Sequence, residues 1–385
     1  MTFQALTAFA KWVPRAGYAV SPEESKSSLG RVGSMVWKDP VFRFVDTPVP
    51  TLSDDEVLIR VHRCGVCGSD THVYETDASG YILFSGPVRL PCVVGHEYSG
   101  VVEAVGGAVK SVKPGALVAA ESVLWCGRCL ACRSGAVNQC ENVELAGLTA
   151  PGAMARYAKA KEWHVWNIDS IKERHGLDKA LDMGALIEPV GCAFNGLFVA
   201  GGGFMPGAAV AVFGLGPIGL SAVALAKIAG ASVTLGFDVV QERLEIAAGL
   251  GADIVKLSGG CDPVQEIMAA TGGRGAEVMV EAAGAGNATV PVMEKAMSRN
   301  GKLIYLGRAA QSVPLDANRL VTGAGAFIGA RGHSGYGIFG SIIKLMAAGK
   351  LDVARMITSR FPFDKSLEAI KASTSRKDGK IMVEI

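Results

Sequence analysis

Up to about residue 190 the apolar positions come in short alternating runs. "VFRFVDTPVP", "EVLIRVHRCG", "YSGVVEAVG" and "ALVAAES" are separated by Gly, Pro and Asp turns, which predicts an irregular, mostly β unit. A polar, proline- and serine-bearing excursion, residues 11 to 35 with "PEESKSSLGR", precedes it. After Pro189 the rhythm changes. "AAVAVFG", "SVTLGFD", "ADIVKL", "AEVMVEAAG" and "KLIYLG" are continuous apolar runs of strand length, and helical segments such as "PIGLSAVALAKIAG" and "QERLEIAAGLG" lie between several of them. Strand–helix alternation with strands apolar on both faces predicts a doubly wound parallel sheet. Past "AFIGARG" the pattern predicts a helix over "GSIIKLMAAG" and a last strand in "GKIMVEI". No internal repeat and no low-complexity tail interrupts the chain.

Composition changes this picture little. The 385 residues suit about two domains, and 49 glycines fit a chain rich in tight turns. With 38 basic and 36 acidic residues the net charge is +2, which gives no electrostatic case for nucleic acid or an anionic membrane. The N-terminal apolar run is too short, and charged too early, for a secretory signal. Residues 205–226 carry no charge and approach the length of a bilayer span, but Pro206, Gly207, Gly214, Gly216, Pro217 and Gly219 break them into strand, turn and helix. The expectation is a cytoplasmic protein with no membrane partner.

"WCGRCLACRSGAVNQC" gathers Cys126, Cys129, Cys132 and Cys140 in one polar stretch. A reducing compartment weighs against a disulfide knot. An iron–sulfur cluster of the bacterial type would show C-x2-C-x2-C-x3-C-P, whereas seven residues separate Cys132 from Cys140, which precedes Glu141. Four thiolates closing a tetrahedral structural zinc site fit the spacing better, with Arg128 and Arg133 near enough to offset their charge.

Gly214-Leu215-Gly216-Pro217-Ile218-Gly219 is a GxGxxG that follows an apolar run and opens a helical one. In that context the glycines permit the turn, the approach of a pyrophosphate and close helix–strand packing. Pro217 suits the first helical turn. Asp238 closes the next strand, about 20 residues on, where an acid bonds adenosine ribose hydroxyls and repels the extra phosphate of NADP. NAD is therefore the expected cofactor, with Arg243 assigned to the same site. Asp238 as a helix cap before "QERLEIA" is the plainer alternative.

A second constellation lies in "CGVCGSDTH", with Cys67, Ser69, Asp70 and His72, followed by His96 and Glu97 in "VVGHEYSG" and Glu188 in "ALIEPVGC". A Cys, a His and a carboxylate without a fourth strong ligand are how a catalytic zinc keeps an open position. Ser69 and His72 could relay a proton away from it.

These motifs resemble the zinc-dependent medium-chain dehydrogenases/reductases of the alcohol, sorbitol and threonine dehydrogenase type, over essentially the full length. Gly95-His96-Glu97 meets the family's G-H-E, Cys67 to His72 its C-G-S-D-x-H turn, and the four cysteines its structural lobe, about residues 121–141. The resemblance implies an α/β protein: a GroES-like mostly-β catalytic domain (1–190 and 331–385) and a Rossmann domain (191–330). It implies Cys67, His96 and Glu188 as catalytic zinc ligands, Glu97 as a carboxylate that can approach the metal, Asp70 as the group orienting His96, and Cys64 as structural. Two zinc ions per chain and a homo-oligomer, dimer or tetramer, follow from it. The stretches "FAKWVPRAGY", "GSMVWKDP", "DASGYILFSG", "ESVLWCGRC" and "RGHSGYGIF" are similar to those of inosose dehydrogenases, which oxidise a ring polyol. Tyr74, His333 and Tyr336 are then candidates for the substrate pocket. For the last two, a plain domain-linking turn is the alternative.

Overall fold

The computed structural model describes residues 2–308 and 312–385. They divide into two compact units. The first comprises residues 1–188, 359–376 and 381–385, the second residues 189–358 and 377–380.

Alternating positions become antiparallel sheet in the first unit, as expected. Glu56–Val66 is its central strand, pairing with Glu97–Val105, with Tyr157–Lys161 and with Ile381–Glu384. Leu117–Ala120 and Val165–Asn167 extend the sheet beyond Glu97–Val105. A second, three-stranded sheet sets Thr2–Trp12 between Trp37–Pro48 and Cys92–Val93. The inward positions of both, among them Leu6, Ile59, Val61, Val118 and Ile381, form one apolar core that Met154 joins from a bend. The polar excursion is ordered: Ser21 and Glu24 cap the short helix Pro22–Ser27 reciprocally, and Arg15 stacks on Tyr81 while its guanidinium pairs with Asp77.

One helix, Leu177–Phe194, carries the chain from the first unit into the second. Its first half is docked on the sheet. Ser99 Oγ donates to the Leu181 carbonyl at 2.5 Å, and Asp182 accepts from Arg63 at 3.0 Å and from Arg360 at 2.5 and 3.0 Å. With the following turn to Ala200 it is, among the described residues, the one helix long and apolar enough to cross a bilayer, and 72% of its apolar window is buried inside the fold. The charge-free residues 205–226 fold instead as strand Ala209–Phe213, a turn, and helix Pro217–Ile228.

The second unit holds six parallel strands in the spatial order Ile254–Leu257, Val233–Asp238, Ala209–Phe213, Ala276–Glu281, Met297–Tyr305, Ala326–Gly329. Sequence order thus runs outward one way from Ala209–Phe213 and then the other, so the crevice for a ligand lies at the carboxyl ends of Ala209–Phe213 and Ala276–Glu281. Phe213 and Phe237 stack at 4.8 Å between centroids in the core beneath it.

The sequence reading returned the chain to the first unit at 331, but residues 331–358 pack with the second. Their helix, Ile338–Ala347, buries Ile338, Phe339, Ile342, Ile343 and Met346. Arg355 donates to the Gly249 carbonyl at 2.7 Å, and Ser221 Oγ lies 4.0 Å from the Met356 sulfur. An apolar face needs a partner, and the helices of the parallel sheet supply it.

Asp182 locks the helix that carries Glu188, so its removal should be felt in stability. Breaking a fully buried pair costs about 3–5 kcal/mol. Arg63 keeps Asp178 and Glu384 at 3.5 and 3.9 Å, which softens the loss. Asp182→Ala should therefore destabilise the protein by about 2 kcal/mol, read as a lower urea midpoint. An unchanged midpoint would contradict this docking role.

Candidate active site and metal centres

Cys67 precedes helix Gly68–Tyr74, and its backbone N–H donates to Asp70 Oδ2 at 2.9 Å. Asp70 is fully buried, and its other oxygen accepts from the Gly95 N–H at 3.2 Å and lies 3.8 Å from His96 Nδ1. One carboxylate therefore sets the thiol-bearing turn against the turn that carries His96 and Glu97. Gly65 gives the Glu97 carboxylate its room, since a Cβ there would overlap Oε2. The ligand atoms of Cys67, His96 and Glu97 all lie within 4.8 Å of one another. Glu188 faces the same cluster, and its Oε1 accepts from Ser122 Oγ at 2.9 Å.

The electrostatics of this cluster call for a cation. Burial disfavours a charged His96, yet Asp70, Cys67 and Glu188 together raise its pKa well above the ordinary imidazole value. His96 Nδ1 is buried with no hydrogen-bond partner among the described residues. A partly buried thiol, a buried imidazole and the Glu97 carboxylate within 4.8 Å of one another, with the Glu188 carboxylate near enough to act on His96, fit a zinc ion, whose charge would meet the demand for positive charge.

Ser69 Oγ stands 3.3 Å from His96 Nε2. His72, on the same helix, faces solvent; partial burial and the Arg376 guanidinium push its pKa below the ordinary range, against the opposing pull of Glu75. Ser69 and His72 are not hydrogen-bonded to each other among the described residues. Tyr74 packs edge-on against Phe42 at 5.5 Å. Cys64 is in the core, as its sequence position suggested.

Cys126, Cys129, Cys132 and Cys140 also bring their sulfurs within 4.8 Å of one another, and none is in a disulfide. Backbone N–H groups aim at the sulfurs, Arg128 at Cys126 (3.4 Å) and Cys126 at Cys140 (3.3 Å). Such donors, from Arg128 and Cys129, hold the Cys126 thiol down at about 6, whereas burial pushes Cys132 up to about 12. A divalent metal would keep all four deprotonated at once. This donor set fits a closed zinc site.

In the second unit Gly214 has φ +87°, and a Cβ at Gly219 would overlap the Gly214 carbonyl oxygen. Gly216 and Pro217 open helix Pro217–Ile228, with Ile218 in its first turn. Asp238 is buried, and its carboxylate already accepts from the Leu215 N–H at 2.5 Å and the Val240 N–H at 2.8 Å, with Arg243 at 3.8 Å. It thus shapes the glycine turn itself, which neither sequence alternative foresaw. Within this unit His333 is 1% exposed and packs on Phe339, whereas Tyr336 is 54% exposed and has φ +54°.

Two groups escaped the sequence reading. Ser122 lies in the quoted stretch "ESVLWCGRC" but carries no motif; only its place four residues before the first cysteine could have drawn notice. Glu281 closes strand Ala276–Glu281 at the crevice. Its Oε1 accepts from the Ala283 and Ala285 N–H groups and from Thr289 Oγ1 at 3.2–3.3 Å, while the buried Oε2 has no partner.

Comparison with known proteins agrees with this geometry. Residues 53–170 match the alcohol dehydrogenase GroES-like domain and residues 217–348 the zinc-binding dehydrogenase domain. The chain is 35% identical over 384 residues to a scyllo-inosose 3-dehydrogenase of Thermotoga maritima, covering 96% of each protein. It is 31% identical to an L-threonine 3-dehydrogenase of Bacillus subtilis, over 92% of this chain and 99% of that one. A solved Thermotoga maritima structure, described as an alcohol dehydrogenase, superposes with a TM-score of 0.96 at 34% identity and covers all of both chains.

Burial raises the Glu281 pKa over the opposing pull of Thr289 and the turn's N–H groups. A carboxyl raised in the folded state favours folding below its unfolded value, about 4.3, and that contribution is lost as pH rises through the folded value. Glu281→Gln has no proton to lose. Relative to wild type its thermal midpoint should therefore climb as pH goes from 4 to 8; a pH-independent difference would refute the raised pKa.

Proposed function

Because the chain belongs to the zinc-dependent medium-chain dehydrogenases, we propose that it oxidises a secondary hydroxyl of a cyclitol, an inosose or an aminocyclitol to a ketone, with NAD as acceptor. Two zinc ions per chain serve it, one at Cys67, His96, Glu97 and Glu188 and one in the four-cysteine lobe. The observation that carries the reading is the convergence of a thiol, an imidazole and two carboxylates around the buried Asp70 hub. Its relative in Thermotoga maritima, similar over the whole length, supports the ring-polyol class. Threonine or sorbitol is the second reading, and the Bacillus subtilis relative favours threonine. Family membership also supports a cytoplasmic homo-oligomer.

When bound, zinc supplies Lewis acidity toward the alcohol oxygen and the nicotinamide ring accepts the hydride. The chain's own groups manage position and the proton. Asp70 holds the Cys67 and His96 turns in register. Ser69, beside His96 Nε2, is placed to take the hydroxyl proton and pass it toward His72. Burial and the Arg376 guanidinium lower the His72 pKa, which favours the neutral imidazole, the form with a nitrogen free to accept a proton. The Gly214–Gly219 turn presents backbone N–H groups and a helix N-terminus to the pyrophosphate. Asp238 supports NAD over NADP, because its carboxylate would face the extra phosphate. His333, Tyr336 and Tyr74 are our candidates for contacts to ring hydroxyls.

Metal analysis tests the centres directly. Wild type should carry about two zincs per chain. Cys67→Ala and Glu188→Ala should each retain about one and lose turnover, whereas Cys129→Ser should lose the other zinc and fold less stably. Full activity in a metal-depleted Cys67→Ala would sink the assignment.

Substrate and cofactor are tested together by kcat/KM over scyllo-inosose, aminated cyclitols, sorbitol, threonine and ethanol, each with NAD and NADP. A site that bonds several hydroxyls can reject analogues lacking them by up to ~10⁴, so cyclitols should lead and ethanol should trail. Asp238→Asn keeps an acceptor for Leu215 but loses the charge, and should narrow the NAD preference. A wide lead for sorbitol or threonine overturns the substrate class, and a wild type that prefers NADP overturns the cofactor.

A further inference from the structure

We infer that Ser122 is a positioning residue for Glu188, and that its neighbour Glu121 ties that position to the four-cysteine lobe, so that filling the lobe with metal raises the metal affinity of the Cys67–His96–Glu188 centre. The inference rests on the zinc reading above and adds a coupling between its two sites.

The two residues are consecutive and their side chains diverge. Ser122 Oγ donates to Glu188 Oε1 at 2.9 Å, and the two residues are only 5% and 9% exposed, so water is a poor substitute donor. Glu121, also buried, bridges two indoles: Trp125 Nε1 at 3.2 Å and Trp166 Nε1 at 2.9 Å. Trp125 is the last residue before the lobe, and its own N–H donates to His164 Nε2 at 3.2 Å. Backbone bonds complete the hub, Glu121 N–H to the His164 carbonyl and Ala146 N–H to the Ser122 carbonyl, both 2.9 Å.

Both ends of the lobe are fastened at this hub. The chain enters through Val123–Leu124 and leaves through Glu144–Leu145, and those two strands pair with each other. Cys126, one residue past Trp125, is held by its N–H to the Cys140 sulfur. A metal would give the four clustered thiols a common partner and so add to the anchor of the segment that follows Ser122. Ser122 is then held more firmly where it meets Glu188. Groups that orient a metal ligand in this way typically change affinity 10–100-fold when removed.

The test uses the full-length chain stripped of metal and titrated with Co²⁺, whose absorption separates a tetrathiolate site from one with a single thiolate. Ser122→Ala should bind Co²⁺ about 10–100-fold more weakly at the single-thiolate centre with the tetrathiolate site unchanged. Ser122→Thr, which keeps the hydroxyl, should restore binding. In wild type the single-thiolate centre should bind more tightly once the lobe is filled, and in Glu121→Ala that dependence should shrink. Equal affinities in wild type and Ser122→Ala overturn the positioning role, and a single-thiolate centre indifferent to lobe occupancy overturns the coupling. Should Glu188→Ala itself bind Co²⁺ there as wild type does, the ligand assignment of Glu188 fails instead. A purely structural Ser122 would lower the thermal midpoint while leaving the cobalt titration alone, which also counts against the inference.

Discussion

The buried Asp70 carboxylate is the constraint on which the first unit's chemistry depends. Charge-assisted hydrogen bonds are each worth about 1.5–3 kcal/mol, and an unpaired carboxylate in this interior would be far more costly. Asp70 is tolerated because one oxygen takes the Cys67 N–H and the other the Gly95 N–H. Meeting its own needs, it joins two segments 25 residues apart and puts the thiol and the imidazole in one place. The negative groups that then surround His96 create a demand for positive charge that suits the site to a metal ion.

Glu188 reaches that centre by a different route. Its helix is held from outside by Asp182 on Arg63 and Arg360, and from within by Ser99 on the Leu181 carbonyl. Those bonds fix where the helix lies, and Ser122 fixes where its carboxylate points. The cysteine lobe, whose sulfurs form a separate cluster, contributes by holding the bend on which Ser122 sits, between strands Leu117–Ala120 and Val123–Leu124.

In the second unit the crevice is made by strand ends and not by side chains reaching across it. The Gly214–Gly219 turn sits on Ala282 and Ala283, with the Ala282 N–H bonded to the Phe213 carbonyl. Glu281 gathers the following turn with one oxygen, and Asp238 gathers the glycine turn from the other side. Acidic residues on both flanks of the turn therefore act first as backbone acceptors, and any contact with a cofactor adds to that duty.

What the amino-acid sequence determined by itself was whatever is written locally. Strand and helix periods named the two fold classes, because side-chain direction follows backbone period. The glycine turn, the C-G-S-D-x-H segment, the G-H-E triplet and the four cysteines were legible because their members are neighbours in the chain, so spacing alone fixes their relation. Tertiary structure decided the rest. It chose Ser122 and Asp182 as the partners that hold Glu188, found Glu281 at the crevice, and gave residues 331–358 to the second unit. Each depends on which surfaces meet across tens to hundreds of residues, and a polar side chain without a motif carries no local mark of the partner that burial will give it.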